Sequence, residues 1–319
     1  MSIISTDIKQ AIKILNQNDL VAIPTETVYG LAGNIYSESA IKKIFELKQR
    51  PLYNPLIVHV ASIGQLDEIV EDFPEKAKIL ANTFWPGPLT MVLKKKSKVP
   101  DLVTGGKNTV AVRIPNHTIT LELLQLLDFP LAAPSANLFG MISPTNAVHV
   151  LDSFQNNLPM ILDGGSCQNG IESTIIGFEN NEPVLYRLGS LSIEEIENTI
   201  GRIKIKNNKE KSPDAPGMLS KHYAPKTATF LVEDVVSFIQ KNNYKKIGLL
   251  LFSNVIENKT IHHQEILSKN GDLKEAASHL YEAMHRLDKM DLDIIIAQEF
   301  PNYGLGKSIN DRLTRASKK

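Results

Sequence analysis

An α/β chain in two domains is what the sequence predicts, and three observations carry that reading. Its 319 residues are about twice the usual length of one domain. Short apolar runs alternate with stretches whose apolar residues recur at helical spacing. The alternation breaks between residues 202 and 226, where prolines and charges replace it. Apolar residues at 42% and charged residues at 22% give both halves material for a core and exclude a disordered or fibrous chain.

The elements follow in order. Ile8, Ile12 and Leu15 share one face of a helix near 6–17, and LVAIP at 20–24 is a short buried strand. Ser37 is placed to cap a helix carrying Ile41, Ile44 and Leu47, and PLIVHV at 55–60 is the next strand. Further strands are expected at LTMVL, TVAVRIP, PLAAP, PMILD, STIIGF and VLYRLG, with helices near 64–71, 74–82, 117–127, 145–152 and 192–200. This order makes an α/β domain over 1–201. The stretch 202–226, RIKIKNNKEKSPDAPGMLSKHYAPK, has no sustained periodicity and reads as a linker. Beyond it KKIGLLLFS and DLDIIIAQEF read as strands. Leu273, Ala276, Leu280, Met284 and Leu287 share one helical face, so 227–319 is a smaller α/β domain.

Several function classes drop out. Lys plus Arg equals Asp plus Glu at 35 each, so no global field holds a nucleic-acid duplex and any such contact is local. The basic runs 94–98 and 202–211 are the places for one, against their ordinary reading as solvated surface. The single cysteine, Cys167, excludes an intramolecular disulfide and a cysteine-rich zinc module, and is expected to be structurally incidental. With no run of about 18 apolar residues and no signal-type N-terminus, a cytoplasmic location without membrane contact is expected. Gly306-Lys307-Ser308 looks like the end of a P-loop, but Pro301 stands where the first glycine belongs.

The segments that carry chemistry follow strands. Pro24-Thr25-Glu26-Thr27-Val28-Tyr29-Gly30-Leu31 sets hydroxyls and a glycine after an apolar run, suited to ligand contact or to an ordinary turn. Lys48-Gln49-Arg50-Pro51-Leu52-Tyr53-Asn54 places two cations and an amide in a proline-stiffened stretch, an arrangement that suits a polyphosphate. Thr109 and Arg113 share the parity of one strand and therefore one side of the sheet. Ala133-Pro134-Ser135-Ala136-Asn137 follows a strand, and Ser143-Pro144-Thr145 opens a helix.

PTETVYGL, the K-x-R-x-x-x-N pattern at 48–54, NPLIVHV, FWPGPLT, VAVRIP, APSAN, ESTII and HYAP, in this spacing, resemble the threonylcarbamoyl-AMP synthase family. The resemblance covers a YrdC-like domain from about residue 5 to 200, a twisted mixed sheet with flanking helices. The linker and smaller Rossmann-like domain resemble the family's long form. It implies that L-threonine takes up carbon dioxide from bicarbonate and that the carbamate attacks the α-phosphate of ATP, expelling pyrophosphate. The product, threonylcarbamoyl-AMP, would pass to a tRNA-modifying transferase complex, with at most weak contact to tRNA itself.

By that resemblance Thr27, His59, Arg113, Ala133 and Ser173 hold threonine, and Arg50, Asn54, Thr109, Ser135, Asn137, Ser143, Arg187 and Tyr223 hold ATP. Lys48 and Arg50 would stabilise charge in the transition state. Tyr223 is expected to fold over the nucleotide, making 202–226 a lid as well as a linker. Magnesium is expected with ATP rather than in a protein cage. The family often has glycine where Gln49 stands. Two further readings are a non-catalytic RNA-binding module and a carbamoyltransferase of the hydrogenase-maturation type. The neutral charge argues against the first and the lone cysteine against the second.

Overall fold

The computed structural model describes residues 2–206, 215 and 222–318. Among them the strands form two sheets, and the mixed α/β architecture expected from the sequence is borne out. Across its width the larger sheet runs Ile3–Ser5, Met160–Leu162, Val21–Ile23, Gly30–Asn34, Leu131–Ala132, Ile57–His59, Thr109–Arg113, Leu89–Lys94, Thr174–Glu179, Glu182–Arg187 and Lys204–Ile205. Ile57–His59 pairs parallel with Thr109–Arg113 but antiparallel with Leu131–Ala132, so the sheet is mixed at its centre.

One face of this sheet is fully covered. Helices Glu38–Lys48, Glu75–Phe84, Ala147–Phe154 and Ile193–Ile200 lay Ile44, Leu80, Val150 and Ile196 on Leu31, Val58, Met91, Val112 and Ile176. Each fully buried side chain of this kind contributes about 1.5–3 kcal/mol. Capping fixes where the helices begin: Ser37 accepts from Ala40 N, and Ser192 with Glu195 forms a capping box. The other face is covered only in part, by Ile8–Asn16 and Thr118–Gln125 over Val21, Ile23 and Leu131. Ile57, Val92, Ala111 and Ile175 form a separate apolar patch there, on which Ala215 is buried. The strand ends left open beside that patch carry His59 and Arg113.

The smaller sheet is parallel throughout, in the order Thr229–Val232, Ile294–Gln298, Ile247–Leu251, Ile261–Ile266. Helix Val235–Lys241 packs one side. Helices Leu273–Asp288 and Leu305–Ala316 pack the other, and their far faces meet the large domain. One apolar cluster joins Leu280, Met284, Ile309 and Leu313 to Val28, Ile142, Ile171 and Tyr223. The two domains therefore share a core.

Four expectations change. The stretch near 64–71 is a 3-10 helix, Ile63–Glu68, rather than an α-helix. Gly30–Asn34, where the sequence reading placed no element, is a strand; a Cβ on Gly33 would crowd Leu20, Ile44 and Ala40, and the small residues this requires give no apolar run. Lys204 and Ile205 pair with Val184 and Leu185, so the segment read as linker from 202 begins inside the large sheet. Helices Val235–Lys241 and Leu305–Ala316 were not among the expected elements, although Leu305, Ile309 and Leu313 recur at helical spacing. The basic run at 94–98 is surface, with Lys94, Lys95 and Lys98 paired to Glu71, Asp101 and Glu68; most of 207–221 lies outside the described residues.

Candidate active site

The turn after Val21–Ile23 is built by one threonine. Thr25 Oγ1 donates to Val28 O at 2.6 Å and accepts from Thr27 N at 3.1 Å and Val28 N at 3.2 Å. This knot turns Thr27 toward the sheet and Glu26 beside it. Parallel pairing sets His59 directly across from Arg113. Arg113 Nη1 donates to Thr27 Oγ1 at 2.9 Å, Nε donates to Gly87 O at 3.1 Å, and Nη2 lies 2.7 Å from Glu26 Oε2. Both members of this ion pair are buried. His59 is held down to about 3 by burial and then by the charge of Arg113, so its imidazole is neutral. Its Nδ1 has no partner among the described residues. Ser173 Oγ lies 2.7 Å from Thr90 Oγ1 and accepts from Arg187 Nη2 at 3.1 Å.

A second group of cations lies alongside. Lys48, 1% exposed at the end of its helix, donates through Nζ to Ser135 O at 2.5 Å and Asn137 O at 2.6 Å. The chain leaves that helix through Gln49 in the left-handed region at φ 53°, a conformation that favours glycine. Arg50 Nε donates to Asn54 O at 3.1 Å and Nη2 to Pro55 O at 2.7 Å. Arg187 donates to Ser173 O from Nε at 3.2 Å and Nη2 at 2.7 Å. These cations push on one another. Burial and then Arg50 hold Lys48 well below the usual lysine range, and burial followed by Arg187 lowers Arg50 to about 9.

A cavity joins the groups: Thr27, Arg50, His59, Arg113, Ala133, Ser135, Ser173, Arg187 and Tyr223 all line it. Lys48, Asn54, Asn137 and Ser143 sit just behind its wall, buried. Thr109 does not reach it. It shares the strand of Arg113 but lines a separate depression with Lys107, Asn108 and Tyr186, the apolar patch under Ala215 lying between. Of the HYAP segment, Tyr223 is 1% exposed, holds φ 64° and leaves its hydroxyl without a partner among the described residues. Strain of this kind, about 1–3 kcal/mol, persists where surrounding packing enforces it.

Sequence reasoning missed three residues here. Glu26 and Glu172 stood inside the quoted motifs PTETVYGL and ESTII, and a carboxylate beside hydroxyls at a strand end was the available signal. His222, buried and held down to about 3, lines the cavity beside Tyr223. Glu172 lines it as well, and its partners lie on the C-terminal helices. Cys167 is buried with its thiol pushed up to about 12, as befits an inert residue. Gly306-Lys307-Ser308 cradles no phosphate: Lys307 pairs with Glu194 at 2.7 Å and Ser308 Oγ donates to Gly189 O at 2.8 Å.

Fold and site together define a small-molecule-binding α/β protein with one anion-seeking pocket. Residues 13–189 match the family model described as "Telomere recombination", and residues 191–318 match "Threonylcarbamoyl-AMP synthase, C-terminal domain". The threonylcarbamoyl-AMP synthase of Pyrococcus abyssi is 41% identical, over 97% of this chain and 94% of its own length. That of Bacillus subtilis is 39% identical, over 97% of this chain and 92% of its own length. The crystal structure of P. abyssi Sua5 complexed with L-threonine superposes with a TM-score of 0.92 at 39% identity, covering 99% of this chain and 97% of that one. The chain belongs to the threonylcarbamoyl-AMP synthase family.

Proposed function

We propose that this chain makes threonylcarbamoyl-AMP from L-threonine, bicarbonate and ATP. The observation that carries the reading is the joining of two unlike half-sites in one cavity. One half offers a matched ion pair, hydroxyls and a neutral imidazole, which suits an amino acid carrying one charge of each sign. The other offers cations crowded against each other, which suits an anion such as a triphosphate.

The reaction balances as follows. Threonine's amine, once deprotonated, takes carbon dioxide from bicarbonate and water leaves. A carbamate oxygen attacks the α-phosphorus, the bond to the bridging oxygen breaks, and pyrophosphate departs. Thr27, His59, Arg113, Ala133 and Ser173 hold and orient threonine. Lys48, Arg50 and Arg187 offset charge on the phosphates, within reach of Ser135, Asn137, Asn54 and Tyr223. Ser143 acts through Glu172, whereas Thr109, in a depression of its own, is given no contact with the nucleotide. Proximity and fixed charge do the work, without a covalent nucleophile.

Magnesium enters as part of the nucleotide substrate. Among the described residues no group of carboxylates, histidines or cysteines is arranged to hold a metal ion. Glu172, the carboxylate on the cavity wall, is already bonded to Arg312 and Tyr281. The adenylate would serve N6-threonylcarbamoyladenosine formation in tRNA by a downstream transferase complex in the cytoplasm. No helix among the described residues is long and apolar enough to cross a membrane. We take 1–201, extended by the strand Lys204–Ile205, and 227–319 as the domains, and the stretch between them as their connection.

The test is pyrophosphate release by the purified chain. Release that requires threonine, bicarbonate and ATP together supports the proposal. Release that ignores threonine or bicarbonate contradicts it.

A further inference from the structure

We propose that Arg312, on the C-terminal domain's last helix, is a positioning residue for the nucleotide half of the active site, acting through Glu172. The proposal rests on the functional reading above and assigns the small domain a part in it. Arg312 is completely buried, although it belongs to a helix outside the large sheet. Its Nε donates to Glu172 Oε2 at 2.8 Å and its Nη2 to Leu188 O at 2.6 Å, one residue beyond Arg187. Its guanidinium lies 5.0 Å from the Tyr223 ring centroid. Three features of the nucleotide half are thus held from one side chain.

Glu172 connects them further. Its Oε1 accepts from Ser143 Oγ at 2.6 Å, and Tyr281, on the other C-terminal helix, donates to Oε2 at 2.9 Å. The carboxylate lines the same cavity as Arg50 and Arg187. Left bare, it would repel a triphosphate and attract the cations meant for it. Arg312 cancels that charge from behind the wall, so the cavity keeps its cationic character. Burial alone would raise Glu172, but Arg312, Arg187 and the Ser143 hydroxyl outweigh it and hold the carboxyl near 2, so the pair is ionised at neutral pH. Arg187 is the other cation acting on Glu172, and without Arg312 it would be drawn to the carboxylate and away from phosphate.

The threonine half is tied to this network less directly: Arg113 is balanced by Glu26 within the large domain, and Ser173 is the link, accepting from Arg187 at 3.1 Å. A positioning role therefore separates the two substrates, which a general loss of stability would not. In folded full-length Arg312→Met, the KM for ATP is expected to rise about tenfold, the scale of a net hydrogen bond or two, with the KM for threonine within about twofold of the parent. Arg312→Lys, which keeps the charge, should recover most of the loss. Glu172→Gln/Arg312→Met, which leaves no bare carboxylate, should also recover part of it and serves if Arg312→Met does not fold. Unchanged ATP KM in the folded variants, or equal rises for both substrates, would overturn the proposal. ATP affinity by calorimetry reads the same effect without turnover. A wild-type chain that binds ATP but releases no pyrophosphate therefore defeats the functional reading and not this one.

Discussion

The two halves of the cavity bury charge in opposite ways. Around Thr27 the charges cancel, with Arg113 Nη2 2.7 Å from Glu26 and His59 neutral. Around Lys48 they accumulate: Lys48, Arg50 and Arg187 are held mainly by backbone carbonyls, and beyond the effect of burial Arg50 lowers Lys48 and Arg187 lowers Arg50. A buried ion pair carries its own counter-charge, whereas a buried cluster of like charges needs one from outside. The difference explains how one pocket can select a net-neutral amino acid and a polyanion side by side.

Breaking the matched half should have the largest effect. Arg113→Ala strands Glu26 and is expected to destabilise the fold by about 3–5 kcal/mol, besides abolishing threonine binding. Chemical denaturation measures the first and calorimetry with threonine the second. Stability within about 1 kcal/mol of the parent would mean that the pair is not matched as described. Arg50→Ala removes one member of a mutually repelling group, so the fold should survive, while turnover falls about 10²–10³-fold. Wild-type turnover in a folded Arg50→Ala protein would remove 48–54 from the site.

How much of this was legible in the sequence differs between the halves as well. Lys48, Arg50 and Asn54 pointed to the cationic half, because two cations and an amide in a proline-stiffened stretch suit a polyphosphate, although the same pattern also fits a solvated loop. Glu26 and Glu172 were passed over, since a carboxylate's role there depends on which cation the fold brings to it. Arg113 and His59 were placed on strands correctly, yet only the register, His59 against Arg113, makes them neighbours. Thr109 shares the parity of Arg113, and parity fixes the side of the sheet but not the distance along it. The C-terminal domain offered no catalytic pattern because its contribution, Arg312 and Tyr281, is made at range 100 residues and more away from Glu172 in the chain.

Smaller effects sharpen the contrast. Serine lacks only threonine's methyl group, worth about 1–3 kcal/mol in an apolar pocket, so modest serine-dependent pyrophosphate release is expected. Equal release with serine would mean that the pocket does not read the methyl. Tyr223→Ala should weaken ATP binding more than threonine binding, because Tyr223 packs against Arg312 and Tyr281 on the nucleotide side. Titration calorimetry with each substrate separates the two, and an equal loss for both would place Tyr223 elsewhere in the account.

The most direct test of the central contrast is proton uptake. Lys48 is held below its usual range by burial and by Arg50. A bound polyanion relieves that repulsion and raises the pKa, so at a pH above the free protein's value for Lys48 ATP binding should draw a proton from solvent and tighten as pH falls. The measurement is calorimetric titration of ATP, and separately of threonine, in two buffers of different ionisation enthalpy, above the pH at which the nucleotide itself titrates. The expected result is net uptake with ATP, lost in Lys48→Met, and none with threonine. ATP binding without proton exchange, or uptake of equal size with threonine, would contradict the division of the pocket into a balanced half and a cationic one.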